Sequence, residues 1–149
     1  MVRIAGIDYG TVRIGVAISD ENQIIAGAHG VMPSKKSYEE TANALLELLT
    51  PYRLGAIVLG MPYKLSGQAS FMGDEVTHFA ELLKKKTSIP IIFWDERLTS
   101  IQAERSLKES GMTRKKRSKI IDSVAAVILL QNYLDALSWK RDANLPDLS

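Results

Sequence analysis

The chain has 149 residues, 46% of them hydrophobic and 24% charged, a balance that supports one packed domain and excludes a disordered polymer. It has no cysteine, which excludes a disulfide framework and a cysteine-based zinc site, and its net charge of +2 is too small to announce a nucleic-acid partner by itself. The opening from Met1 to Asp8 holds too short an apolar stretch for a signal peptide or a span, so the expectation is a soluble, cytoplasmic protein with no membrane association.

Val2 to Ser19 is rich in β-formers and is interrupted at Tyr9-Gly10-Thr11, which predicts two antiparallel strands joined by a tight turn. Gln23 to Met32 supplies a third strand. Tyr38, Ala42, Leu45 and Leu49 fall on one helical stripe, and Ser37 with Glu40 fits a capping box, so a first helix is expected after Ser37. Ala56 to Leu59 is a short continuous apolar run stopped by Gly60 and Pro62, the pattern of a strand covered on both faces. Met72, Val76, Phe79 and Leu83 predict a second helix ending in Lys84-Lys85-Lys86, whose charges complement the helix dipole. Ile91 to Trp94 reads as the last strand, and Thr99 with Gln102 as the start of a short helix ending at Gly111. Ile120 to Leu134 reads as a final helix buried along most of its length. The domain is therefore expected over 1–140, with residues 141–149 as a polar, frayed tail. This order of elements gives an α/β fold, a mixed sheet flanked by helices on both faces, and leaves the strand order open.

Three acids fall where chemistry is expected. Asp8 ends the first strand, at the carboxyl edge where open α/β sheets bind ligands. Glu96 lies just past the last strand. Asp122 is the one acid between Glu109 and Asp135, and small residues after it let its helix approach the sheet. A hard cation such as Mg²⁺ or Mn²⁺ takes several oxygen ligands and keeps room for water and phosphate oxygens, so dispersed carboxylates converging on one edge suit it. Two such ions about 4 Å apart activate water and stabilise the leaving oxygen of a phosphodiester. Each acid alone also has a structural reading: Asp8 starts a turn, Glu96 pairs with Arg97, Asp122 favours a helix N-terminus.

Taken together, Gly6-Ile7-Asp8-Tyr9-Gly10-Thr11-Val12-Arg13-Ile14-Gly15-Val16-Ala17 resembles the opening motif of the YqgF/RuvX family. Asp95-Glu96-Arg97-Leu98-Thr99-Ser100 and Ile121-Asp122-Ser123-Val124-Ala125-Ala126-Val127-Ile128-Leu129-Leu130 follow in the family's order. Leu59-Gly60-Met61-Pro62 followed by Gly67 is similar to the loop after the family's fourth strand. The resemblance covers residues 2 to 134. It implies a ribonuclease-H-like fold related to RuvC-type Holliday junction resolvases, a metal-dependent nuclease, and a role in maturing the 5′ end of pre-16S ribosomal RNA. Matched residue by residue, it makes Asp8, Glu96 and Asp122 the catalytic, metal-holding carboxylates, with Mg²⁺ or Mn²⁺ as cofactor. The wider resolvase pattern has a second acid one turn along the last helix, where this chain has Ala125; Asp95 is the nearest substitute. Precursor ribosomal RNA is then the expected partner and branched DNA the alternative, for a monomer or a homodimer. Junction resolution requires a two-fold dimer.

Arg114, Lys115, Lys116, Arg117 and Lys119 precede Asp122 and put phosphate-binding charge beside the acids; as an isolated run they would read as a solvated loop. Arg13, beside Asp8 on the second strand, either contacts phosphate or stabilises the carboxylate. Phe93 and Trp94 are expected in the core rather than as stacking platforms for bases, and the isolated His29 and His78 are not expected to ligate metal. Asp8-Tyr9-Gly10-Thr11 also resembles the first phosphate motif of actin-like and sugar-kinase ATPases, but those enclose their nucleotide between two such domains, for which 149 residues leave no room. The third reading is a non-catalytic nucleic-acid-binding module, which metal-dependent cleavage would exclude.

Overall fold

The structure, a computed structural model, describes residues 2–10, 12–61, 71–95 and 114–142. Its elements are β1 (Arg3–Asp8), β2 (Arg13–Ser19), β3 (Ala26–Pro33), α1 (Tyr38–Leu49), β4 (Leu54–Met61), α2 (Phe71–Lys86), β5 (Ile91–Asp95) and α3 (Arg114–Asp142). The strands form one sheet in the order β3-β2-β1-β4-β5. β2 runs antiparallel to both β1 and β3, while β1, β4 and β5 are mutually parallel. Parallel neighbours need long crossovers, and α1 and α2 lie within the connections that lead into β4 and β5. The mixed sheet with helices on both faces is as expected. The expected helix from Thr99 to Gly111 lies outside the described residues. Among the described residues no helix is long and apolar enough to cross a membrane.

Alternation along β1 sorts the core into two layers. Ala5, Ile7 and Tyr9 join large side chains of α1 and α2, among them Leu45, Phe79 and Leu83. On the other face Ile4 packs with Ala17, Ala56 and Val58 beneath Ala126, Leu130 and Tyr133 of α3. The small residues there set the spacing. A Cβ built on Gly6 would stand 2.6 Å from Leu130 Cβ and 3.3 Å from the Ala126 carbonyl oxygen, closer than packed carbons tolerate. Glycine at position 6 is thus the condition for α3 to lie on β1.

The local signals act largely as read. Ser37 caps α1, its Oγ accepting the Glu40 N–H at 3.1 Å, and Lys86 at the end of α2 reaches Glu39 at 3.3 Å. The last helix differs. It starts at Arg114 rather than Ile120, because arginine and lysine are good helix formers and no glycine or proline interrupts 114–142. It also runs to Asp142, eight residues past the expected end at Leu134. Burial is one-sided: Ala125, Ala126, Leu129, Leu130, Tyr133 and Leu134 are covered, while Trp139 stays 64% exposed.

Contacts along α3 fix its direction. Gln131 accepts the Ala26 N–H at 2.9 Å and donates to the Ile24 carbonyl at 2.8 Å, and Arg141 donates to Gln23 at 2.9 Å. Residues 23–26 lie at the Ser19 end of the β2–β3 pair, the end beside the start of β1. The later part of α3 therefore points toward the start of β1, and its earlier part toward Asp8.

Gly6→Val is expected to destabilise the fold by about 1–3 kcal/mol through overpacking. In the Leu130→Gly background, which removes the Cβ that the new side chain would meet, the same change should cost measurably less. Urea unfolding of the four proteins checks this, and additive costs would contradict the proposed clash.

Candidate active site

Asp8 closes β1 half-buried, and the alternation that turns Ala5, Ile7 and Tyr9 toward α1 and α2 turns Asp8 toward α3. Its antiparallel partner is Gly15. On the parallel side Ile7 pairs with Leu59, and Gly60 with Trp94, so the next step up the ladder brings Asp8 level with Gly60 and Trp94. Asp8 is thereby flanked by a glycine on each neighbouring strand. Cross-strand neighbours normally crowd such a position, and here none has a side chain. Neither cross-strand neighbour therefore puts a side chain over the strand end.

Asp122 lies one helical turn before Ala126, and in the i, i+4, i+7, i+11 register of Ala126, Leu129 and Tyr133, which is the sheet-covering side of α3. Four helical residues rise about 6 Å and two strand residues about 6.6 Å. Starting from the Gly6–Ala126 contact, those steps carry Asp122 and Asp8 in the same direction to the same edge of the sheet. Asp122 sits eight residues into α3, so the reading in which it merely starts a helix is excluded. Glu96 lies outside the described residues, two positions beyond Trp94. Among the described residues no group of three or more His, Asp or Glu side chains gathers as a metal site.

Arg13 begins β2 two residues before Gly15, on the same face as Ala17 and hence on the α3 face with Asp8. Arg114, Lys115, Lys116, Arg117 and Lys119 lie in the opening turns of α3 instead of in a loop. At 100° per residue they spread round the axis, and Lys115 and Lys119 share the register of Asp122. Ala125 is 2% exposed, so the acid of the wider resolvase pattern would be buried here. Asp95 extends β5 by one residue, exposed, and pairs with Met61. Alternation groups it with Ile91 and Phe93 on the α1/α2 face, opposite Asp8.

Phe93 and Trp94 are half-buried and pack against the core from opposite faces: Phe93 against the α1/α2 cluster, and Trp94 edge-on to Tyr133 at 5.2 Å. His29 meets the Tyr52 hydroxyl at 3.1 Å, and His78 lies 4.7 Å from the Tyr38 ring. Two features had no sequence signal. One is the glycine pair beside Asp8, visible only once strands are aligned. The other is a cavity on the opposite face, where Tyr9, Lys35, Lys36 and Glu75 come together from distant segments. Burial, helped by the nearby Tyr38 and Glu75, pushes the Tyr9 phenol up to about 12.

Comparison with known proteins adds an independent line. Residues 2–136 match the RuvX family, described as Holliday junction resolvase. A relative from Protochlamydia amoebophila named "Putative pre-16S rRNA nuclease" is 51% identical over 140 residues, covering 90% of this chain and 93% of its own. One of the same name from Caldanaerobacter subterraneus is 43% identical over 136 residues, covering 91% and 97%. Among solved structures, Thermus thermophilus RuvC in complex with a Holliday junction superposes with a TM-score of 0.54 at 16% identity, over 91% of this chain and 95% of that one. The shared architecture is the ribonuclease-H-like fold.

The folded protein holds the Tyr9 proton to about 12, whereas the unfolded chain releases it near 10.0. Between those values the native state binds more protons, so stability falls as pH rises. Tyr9→Phe should abolish that fall, and equilibrium unfolding from pH 9 to 12 measures it. An unchanged alkaline limb would place its origin elsewhere.

Proposed function

The chain belongs to the RuvX (YqgF) family, and from that membership we propose that it is a divalent-metal-dependent nuclease that hydrolyses phosphodiester bonds in maturing the 5′ end of pre-16S ribosomal RNA. The observation that carries this reading is the setting of Asp8, a carboxylate at a strand end with glycines on both sides and Asp122 brought toward the same edge. The donor set fits a hard cation: oxygen ligands only, dispersed over elements. Asp8, Glu96 and Asp122 would hold Mg²⁺ or Mn²⁺, which when bound supplies positive charge to the scissile phosphate and acidifies the attacking water.

The remaining roles belong to the chain's own cations. Arg13, on the face of Asp8, is placed to grip a phosphate oxygen. Arg114, Lys115, Lys116 and Arg117 fill the first turn of α3 at the positive end of the helix dipole, where each is unfavourable by about 0.3–1 kcal/mol when exposed, and no acid in that turn offsets them. A polyanion lying across that end relieves the repulsion. Lys115 and Lys119, in register with Asp122, would meet the phosphates nearest the cut, and Arg114, Lys116 and Arg117 the backbone to either side.

Purified protein with Mg²⁺ or Mn²⁺ should shorten a 5′-extended 16S precursor, lose that activity in EDTA, and leave a synthetic four-way junction intact. Asp8→Asn should lower the rate on the order of a hundredfold or more with the melting temperature unchanged. Undiminished cleavage by a clean Asp8→Asn preparation overturns the site.

The basic run has its own test. If it holds about three phosphates of single-stranded RNA, it contributes about −2 to the slope of log affinity against log salt. Replacing Lys115, Lys116 and Arg117 with Gln should flatten the slope by about that amount for every RNA sequence while folding stability stays within about 0.5 kcal/mol. An unaltered slope means these side chains do not touch the nucleic acid.

A further inference from the structure

Behind the Asp8 edge, on the other face of the sheet, Tyr9 lines an open cavity of about 370 Å³ walled by the start of α1 and by Glu75 of α2. Its polar groups are divided. Lys35 and Lys36 border it, exposed and without ion-pair partners among the described residues. Beside them the first turn of α1 leaves the Tyr38 and Glu39 N–H groups without helical acceptors, at the positive end of the dipole. Ser34 and Thr41 are already committed, Ser34 Oγ donating to the Gly10 carbonyl at 2.7 Å and Thr41 Oγ1 to the Ser37 carbonyl at 2.9 Å. On the α2 side Glu75 lines the wall, and its Oε2 is buried with no hydrogen-bond partner among the described residues.

A buried carboxylate oxygen without a donor is costly, and so is bringing a second anion near it. A bare phosphate would satisfy the lysines and repel Glu75, and a bare cation would do the reverse. One ligand class meets both demands, a group that joins a phosphate to a hydroxyl donor a few bonds away. A ribonucleotide has that construction, and the volume lies within the range of roughly 300–1,000 Å³ typical of small-molecule sites. Half-buried Tyr38 adds a ring to the wall, against which a sugar or base can pack.

The geometry points to a ribonucleotide subsite: the cavity takes one nucleotide of the RNA strand flanking the scissile phosphate, its phosphate on Lys35, Lys36 and the start of α1, its 2′-hydroxyl donating to the Glu75 carboxylate that lines the wall. Asp8 and Tyr9 are consecutive and face opposite sides of the sheet, so a strand passing over the end of β1 meets both. The flanking position rests on the nuclease reading of the Asp8 edge; the binding itself does not. Because every ribonucleotide has a 2′-hydroxyl, the subsite distinguishes RNA from DNA without reading sequence.

Fluorescence anisotropy with a short single-stranded RNA and the DNA of the same sequence, both in EDTA to prevent cleavage, tests it. Wild type should favour the RNA by about five- to tenfold, the worth of one net hydrogen bond. Lys35→Gln with Lys36→Gln should weaken both ligands and flatten each salt slope by about 0.7, the share of one phosphate. Glu75→Ala should bring RNA down to the affinity of DNA and leave DNA unchanged, while Glu75→Gln, which keeps an acceptor oxygen and tolerates the same packing, should retain most of the preference. Unchanged binding in the lysine pair, or an RNA preference that survives Glu75→Ala, overturns the subsite. The two readings separate cleanly: loss of cleavage in Asp8→Asn with no effect of the lysine pair keeps the nuclease and removes the subsite. Discrimination lost in Glu75→Ala, in a protein that cuts nothing, keeps the subsite and removes the nuclease.

Discussion

The absence of a side chain at position 6 governs how this molecule is assembled. With any Cβ there, Leu130 and the Ala126 carbonyl would have to retreat, and α3 would lift from β1 along its length. The surrounding residues follow the same requirement, Ala17, Ala56 and Val58 beneath Ala126. Large side chains on this face would give as much apolar burial at a greater helix–sheet distance. What they would not give is the close seating of α3 on β1 that the proposed pairing of Asp122 with Asp8 requires. The small residues trade burial for position, and the larger side chains of the opposite layer supply the bulk of the core.

Sheet topology does the complementary work. β1, β4 and β5 are parallel, so their carboxyl ends gather on one edge, and the register places Asp8, Gly60 and Trp94 at one height. Period-two alternation then divides that edge between two faces. Asp8 turns to α3, and Tyr9 to the cavity beside α1 and α2. The opening motif therefore carries three tasks in four residues: Gly6 seats a helix, Asp8 closes the strand on the α3 face as the proposed metal ligand, and Tyr9 lines the second face.

Most elements were legible because their signals are local. The stripe of α1, the apolar run of β4 and the lysine stop of α2 each depend on periodicity or capping within one segment. The same holds for acids at strand ends, since a strand followed by a turn fixes where its last residue lies. The start of α3 was misread because a run of cations has high helix propensity and yet the composition of a solvated loop; burial begins later, and burial is what the pattern detects. Asp95 was read as past the strand because an exposed acid breaks the apolar run, although backbone pairing with Met61 continues. The glycine pair at Asp8 and the Glu75 cavity depend on register between strands and packing between helices, and no periodicity within one segment encodes either.

The account stands on a divalent cation lying at the β1 edge between Asp8 and the earlier part of α3, and paramagnetic broadening locates such an ion directly. Mn²⁺ should be titrated into isotopically labelled protein without nucleic acid while the amide resonances are followed. Broadening should appear first at Asp8, Tyr9, Gly15, Gly60 and Asp122, and leave Gln23, Ile24 and Arg141, at the far end of the sheet and of α3, sharp. Uniform broadening, or broadening centred on any other acid cluster, would contradict the account.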